Sequence, residues 1–253
     1  FAFFVSLSGL ISAQDMGPDN HKLDWWGDID GFLNKQHETI LSQVSEILVN
    51  CPPTIEEPSE RKSAMLMLDA VLHEEHAAER SSVQDFLQLR IGSAVHELEH
   101  TSVRNGARIW KLYNHGFIVR TASVTFGFDL VRARSARAEG FAIDDATMEK
   151  IVEHCDALFI SHYHGDHADR WVARAFIDQD KPVVAPPEVW KDEAIHGKIR
   201  HLERDADVIH SLSIQNGNHQ LKVIANPGHQ GASIENNVTM VITPENLSFV
   251  QTG

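Results

Sequence analysis

The sequence of 253 residues contains few of the features that mark a disulfide-rich scaffold or a nucleic-acid-binding protein. It has only two cysteines, Cys51 and Cys155, which could form one bridge but define no disulfide framework. Lysine and arginine total 22 against 36 aspartates and glutamates, which gives a net charge of -14. Because proteins that track a phosphate backbone depend on basic side chains, we expect no nucleic-acid partner.

Long apolar runs are also scarce. The opening FAFFVSLSGLISAQD is apolar but too short to span a bilayer, and we expect no integral membrane segment. An apolar stretch followed by Ser12-Ala13-Gln14 is typical of the hydrophobic region and cleavage site of a secretory signal, although a buried first strand or helix is the alternative. We therefore predict that residues 1–13 are the remainder of a signal peptide and that the protein is extracytoplasmic, in the periplasm or secreted.

In the rest of the chain, the spacing of apolar residues changes near residue 105. Apolar residues recur at helical spacing from about residue 30 to 103, which predicts an α-helical N-terminal region over 14–105. From residue 106 onward β-rich runs alternate with amphipathic stretches, a pattern typical of a layered α/β domain over 106–253. In this region DALFIS predicts a buried strand, DRWVARAFIDQ a helix, and NVTMVIT with LSFVQTG a hairpin.

The strand DALFIS runs directly into SHYHGDHAD, residues 161–169. Side chains alternate along an extended chain, so His162 and His164 leave the strand end on the same side and can bind one metal ion. Asp166 and His167 follow where the chain turns, and they offer an oxygen and a nitrogen to a neighbouring ion. Zinc accepts both donor types. A solvated loop is the simpler alternative, but this spacing directly after an apolar strand favours a metal site.

These residues resemble the conserved-motif loop of the metallo-β-lactamase-fold hydrolases, and NPGHQGAS at 226–233 resembles the next motif of that superfamily. The resemblance implies an αββα sandwich, with the N-terminal helical region outside the core motif set. It also implies that His162, His164 and His229 bind one metal ion while Asp166 and His167 bind the second. Asp129 lies where the family has an aspartate that closes its first hairpin and supports the site.

The resemblance further implies an incomplete domain in this sequence. LSFVQTG resembles the strand that in the family ends T-G-D, where the aspartate bridges both ions, and this sequence stops at the glycine. We therefore expect two zinc ions in a complete chain and about one here.

The chemistry implied by such a site is hydrolysis. Zinc lowers the pKa of bound water to about 7, so hydroxide is available at neutral pH, and Asp166 would orient it as the catalytic carboxylate. The substrate implied is a small molecule with an ester, lactone, thioester, amide or phosphodiester bond. The same ligands could instead hold iron for redox chemistry, or metal in a non-catalytic protein.

Two further histidine features have competing interpretations. HELEH, His96 to His100, matches the H-E-x-x-H zinc motif of metallopeptidases, although a helix rich in histidine and glutamate produces this string by chance. His115, in LYNHGFIV, is predicted on the first strand of a hairpin. There it is either near the substrate, as the resemblance implies, or an ordinary strand residue.

Overall fold

The structure is a computed structural model that describes residues 27–133, 140–214, 218–230 and 233–253. The predicted signal segment, residues 1–13, lies outside the described residues. The elements follow in chain order: α1 Ile29–Asn50, α2 Ser59–Leu72, α3 Ser81–His100, β1 Arg108–Lys111, β2 Phe117–Arg120, β3 Thr125–Phe128, α4 Asp145–His154, β4 Ala157–Phe159, α5 Arg170–Asp178, β5 Val183–Val184, β6 His210–Ile214, β7 His219–Gln230, β8 Ile234–Ile242 and β9 Ser248–Gln251.

The first three helices confirm the predicted α-helical character of the N-terminal region. Asp28 begins α1 by accepting a hydrogen bond from the backbone N–H of Gly31, at 2.9 Å from its side-chain oxygen. Apolar residues of all three helices form a separate core that includes Leu41, Val44 and Val83. Among the described residues, none of the helices combines the length and apolar character needed to cross a membrane.

Helix α3 belongs to two cores. Val83 and Phe86, in its first half, pack against α1 and α2. Ile91, Val95 and Leu98, in its second half, pack with α4, α5 and the first sheet. The helical region is therefore continuous in packing with the α/β part, and the last turn of α3 lies against the body that carries the predicted site.

The first sheet has the strand order β1-β2-β3-β4-β5. Its first three strands pair antiparallel, whereas β4 pairs parallel with both β3 and β5. Helices α4 and α5 make these parallel crossovers, as βαβ connections require. Asp144 begins α4 by accepting a hydrogen bond from the backbone N–H of Thr147 at 2.8 Å, as an aspartate N-cap does.

The second sheet has the order β6-β7-β8-β9 and is antiparallel throughout. Alternate residues of β4 show how the layers stack: Leu158 faces the helices, while Phe159 faces the second sheet. The described residues thus form three layers in the order helices, first sheet, second sheet. These are three of the four layers of the αββα sandwich expected from the sequence, since the described residues form no helical layer outside the second sheet. Strands β8 and β9 form the predicted final hairpin.

One detail of the prediction changes. His115 was expected on the first strand of a hairpin, but it lies in the turn between β1 and β2 because the chain reverses after Lys111. Asn114 adopts a φ of 53° in that turn, a left-handed conformation that asparagine tolerates. Cys51 and Cys155 are both free, the first at the end of α1 and the second buried at the end of α4.

Candidate metal centre

The histidine loop starts where β4 ends, between the carboxyl ends of its parallel neighbours β3 and β5. The loop turns because the backbone N–H groups of His167 and Ala168 both bond to the oxygen of His164, at 2.9 and 2.8 Å. It ends at Asp169, which caps α5 by accepting from the N–H of Trp171 at 2.9 Å. The predicted strand, loop and helix are therefore arranged around a tight turn, which brings the polar side chains of the loop close together.

Asp129 supports this loop from the end of β3. It is 1% exposed and has a φ of 45°, an unusual backbone conformation for an aspartate. One carboxylate oxygen, Oδ1, accepts from the N–H of Ser161 at 2.8 Å. The other, Oδ2, lies 2.7 Å from both the Ser161 hydroxyl and His167 Nδ1, and it also accepts from the side-chain amide of Gln251. Both oxygens of this buried carboxylate therefore have hydrogen-bond partners in or beside the loop.

The contact with His167 determines which ring nitrogen is free. A carboxylate only accepts, so His167 donates from Nδ1 and keeps the lone pair of Nε2. Metal-binding histidines commonly have this arrangement, because the carboxylate fixes both the tautomer and the ring orientation. His167 is only 3% exposed. Burial and the contact with Asp129 therefore fix the orientation of the His167 ring.

His162 and His164 approach each other at the start of the loop. Nε2 of His162 lies 3.1 Å from Nδ1 of His164, and the Ser161 hydroxyl lies 3.0 Å from His162 Nδ1. Burial, together with the imidazoles of His167 and His164, lowers the pKa of His162 to about 4. His162 is therefore neutral near pH 7, which is the protonation state of a metal ligand.

A compact group of donors forms beside this pair from His115, Asp166 and His167. One ligand atom from each lies within 4.8 Å of the others. The rings of His115 and His167 stack with centroids 4.1 Å apart, and His115 Nε2 lies 3.6 Å from Asp166 Oδ2. Burial and the nearby His167 lower the pKa of His115. The turn between β1 and β2 therefore brings in a donor that the loop motif alone does not contain.

His229 has a different position from the loop residues. It is exposed on β7, opposite Glu235 of β8, and it belongs to neither donor group found among the described residues. Its hairpin does reach the loop, because the N–H of Asn237 donates to the oxygen of Ser161 at 2.9 Å. Asn237 is paired with Pro227, so His229 lies about 7 Å along β7 from this contact.

A cavity of about 530 Å³ opens next to the loop between the two sheets. His115 and Asp129 line it on the loop side, and Ile109 and Phe117 contribute apolar surface. Both apolar side chains are exposed, at 53% and 37%. A cavity with apolar walls and polar, titratable side chains at one end is the usual form of a small-molecule site.

The HELEH sequence lies on α3, and its glutamate is hydrogen-bonded to the neighbouring strand β1. This glutamate, Glu97, accepts hydrogen bonds from Arg108 at 2.5 Å and from the indole of Trp110 at 3.1 Å. Although partial burial opposes it, these donors lower the pKa of Glu97. A carboxylate committed to two donors on β1 is poorly suited to activate water.

Comparison with known proteins gives structural similarity only. No protein-family model and no curated protein matches the sequence. Two solved structures are similar: the metallo-beta-lactamase fold protein YhfI from Bacillus subtilis, with a TM-score of 0.35 and 13% identity, and a protein from Parabacteroides distasonis described provisionally as a metal-dependent hydrolase, with a TM-score of 0.37 and 14% identity. The matches cover 60% and 59% of this chain. They cover 59% and 66% of the other chains, so this chain spans less than two thirds of either.

The chain's own layers and loop define its class. Two facing sheets with helices outside the first make the described part of the chain a layered α/β sandwich, and it carries an H-x-H-x-D-H loop at the carboxyl end of β4.

Proposed function

We propose that the protein is a metal-dependent hydrolase whose centre is the loop after β4. The observation that carries this proposal is the group His115, Asp166 and His167, with His167 held by the buried Asp129. The donor set fits a divalent ion because it combines imidazole nitrogen with carboxylate oxygen and places a carboxylate behind one ligand. A bound ion would supply an activated water and polarise the bond to be cleaved.

We assign different residues of the chain to two metal ions. We assign His162, His164 and His229 to one ion and Asp166 with His167 to the second, and we propose zinc as the metal. His115 is either a further ligand or a substrate contact, since it faces both Asp166 and the cavity. His229 lies on the β7–β8 hairpin, and Asn237 of that hairpin donates to the oxygen of Ser161 in the loop.

Asp166 is the proposed catalytic carboxylate. Its side chain is 24% exposed and lies beside His115, which lines the cavity, whereas His167 is buried. An ionised carboxylate in this position orients the attacking water and accepts its proton. The apolar walls formed by Ile109 and Phe117 would hold the non-reacting part of an ester, lactone, thioester, amide or phosphodiester.

Hydrolysis of such a substrate panel by the full-length protein tests the proposal. Asp166→Asn preserves size but removes the charge, so turnover should fall by about 100-fold or more while the fold survives. Glu97→Gln is the matched control, because it changes a carboxylate that is bonded to β1 and lies outside the centre. Full turnover by Asp166→Asn with loss in Glu97→Gln would instead favour the peptidase.

Iron chemistry is the second candidate, because imidazole and carboxylate suit both metals. Metal analysis of protein purified without added metal distinguishes the two. Zinc in the preparation supports the hydrolase, whereas iron supports a redox role on the same ligands.

A further inference from the structure

A second donor group lies on the last turn of α3, outside the loop after β4. His96 and His100 are one helical turn apart, and their ring centroids are 4.3 Å apart. Glu99 completes the group, with one ligand atom from each residue within 4.8 Å of the others. All three residues are exposed, and the side chain of Glu99 is 29% exposed, so the group is accessible to an ion from solvent.

We propose that His96, Glu99 and His100 form a separate binding site for zinc or a similar divalent transition-metal ion. This site is distinct from a peptidase centre, because the glutamate that contributes is Glu99 and not the Glu97 of the H-E-x-x-H motif. Its role is structural: an ion that joins these three residues across one turn stabilises the end of α3. The proposal is independent of the function assigned to the loop after β4.

The hydrogen bonding of His100 supports this assignment. Its Nδ1 lies 2.8 Å from the backbone oxygen of His96, and because a carbonyl only accepts, Nδ1 carries the proton. The lone pair of the neutral ring is therefore on Nε2, at the outer end of the side chain. A bond from the second ring nitrogen to a carbonyl is a common arrangement in histidines that bind metal.

The position on the helix also favours a cation. Helix α3 ends at His100, and the carbonyl groups of a final turn place partial negative charge there. Zinc bonds of about 2.0–2.1 Å place neighbouring tetrahedral donor atoms about 3.4 Å apart. The donor atoms of the group lie within 4.8 Å of one another, so they need to move closer together by about 1.4 Å at most. Small rotations of exposed side chains provide this movement.

Lys150 of α4 is the one competing cation that the described contacts place against the group. Its Nζ lies 3.6 Å from Glu99 Oε1, and its side chain is 56% exposed. Exposed ion pairs contribute little free energy, so a divalent ion should displace the ammonium group. Because the lysine competes with the ion, replacing Lys150 should strengthen zinc binding, whereas replacing the histidines should weaken it.

Zinc titration by calorimetry tests the site in full-length protein carrying Asp166→Asn and His167→Ala, which weaken the centre after β4. Adding His96→Ala and His100→Ala should lower the affinity of one zinc by more than about tenfold. Lys150→Ala should raise that affinity. As a control, His73→Ala with His76→Ala removes two exposed histidines that belong to neither donor group and should leave it unchanged.

Thermal unfolding gives an independent readout of the structural role. Zinc should raise the Tm of the protein with an intact α3 group, and this rise should disappear in the His96→Ala/His100→Ala variant. Unchanged zinc affinity in that variant would overturn the proposal, as would equal losses in the His73→Ala/His76→Ala control. A negative result for the α3 group would not change the hydrolysis expected of the wild-type protein. The two proposals can therefore fail separately.

Discussion

Asp129 Oδ2 lies 2.7 Å from His167 Nδ1, and this contact joins the end of β3 to the loop after β4. Both residues are buried. The contact leaves His167 Nε2 free and fixes the direction of its lone pair. It therefore connects the fold to the proposed chemistry, because the pairing of β3 with β4 determines where the imidazole points.

We predict that Asp129→Asn weakens zinc binding by about 10- to 100-fold, since the amide cannot accept all the bonds that the carboxylate receives. Zinc titration measures this effect. Asp156→Asn is the matched control, because Asp156 accepts from the N–H of Thr125 at 2.7 Å at the opposite end of β3. Equal losses in both variants would mean that the effect comes from general destabilisation.

We predict that Phe159→Ala destabilises the fold by about 3–5 kcal/mol. Phe159 is fully buried between the sheets, and its ring centroid lies 5.9 Å from that of Phe126 and 5.6 Å from that of Phe128. Phe32→Ala, at a side chain 62% exposed, should change stability by less than about 0.5 kcal/mol. Urea unfolding measures both values, and similar values would show that the sheet interface is not the main core.

We predict a pH-dependent contribution from Glu245, in the turn between β8 and β9. Burial opposes its ionisation, but hydrogen bonds from Ser123, Thr243 and Thr121 lower the pKa of Glu245 to about 2. Because the folded-state pKa is below the ordinary value of 4.5, the stabilisation is present above pH 4.5 and is lost as the pH falls toward 2.

Glu245→Gln should therefore destabilise the protein at pH 7 and have a smaller effect near pH 3. Denaturant unfolding at the two pH values gives the comparison. An equal loss of stability at both would show that the carboxylate charge does not contribute.

Much of the centre could be predicted from sequence because its elements are local. The apolar run of β4, the adjacent donors and the capped helix α5 are continuous in the chain, so spacing alone predicts their arrangement. His115 could not be placed in this way, because its approach to Asp166 depends on the pairing of β1 and β2. The exposed position of His229 likewise depends on the course of a long hairpin.

The packing of α3 was also not predictable from its pattern. Apolar residues at helical spacing indicate that a helix has a buried face, but they do not specify its partner. Val83 and Ile91 belong to different cores because the helix extends past α1 and α2 onto the first sheet.

The central claim is that the loop after β4 binds the metal ion used in hydrolysis. The most direct test is zinc titration of full-length protein carrying His96→Ala and His100→Ala, with and without Asp166→Asn and His167→Ala. The account predicts at least one tightly bound zinc in the first protein and a loss of affinity of more than about tenfold in the second. Equal zinc stoichiometry and affinity in the two proteins would contradict it.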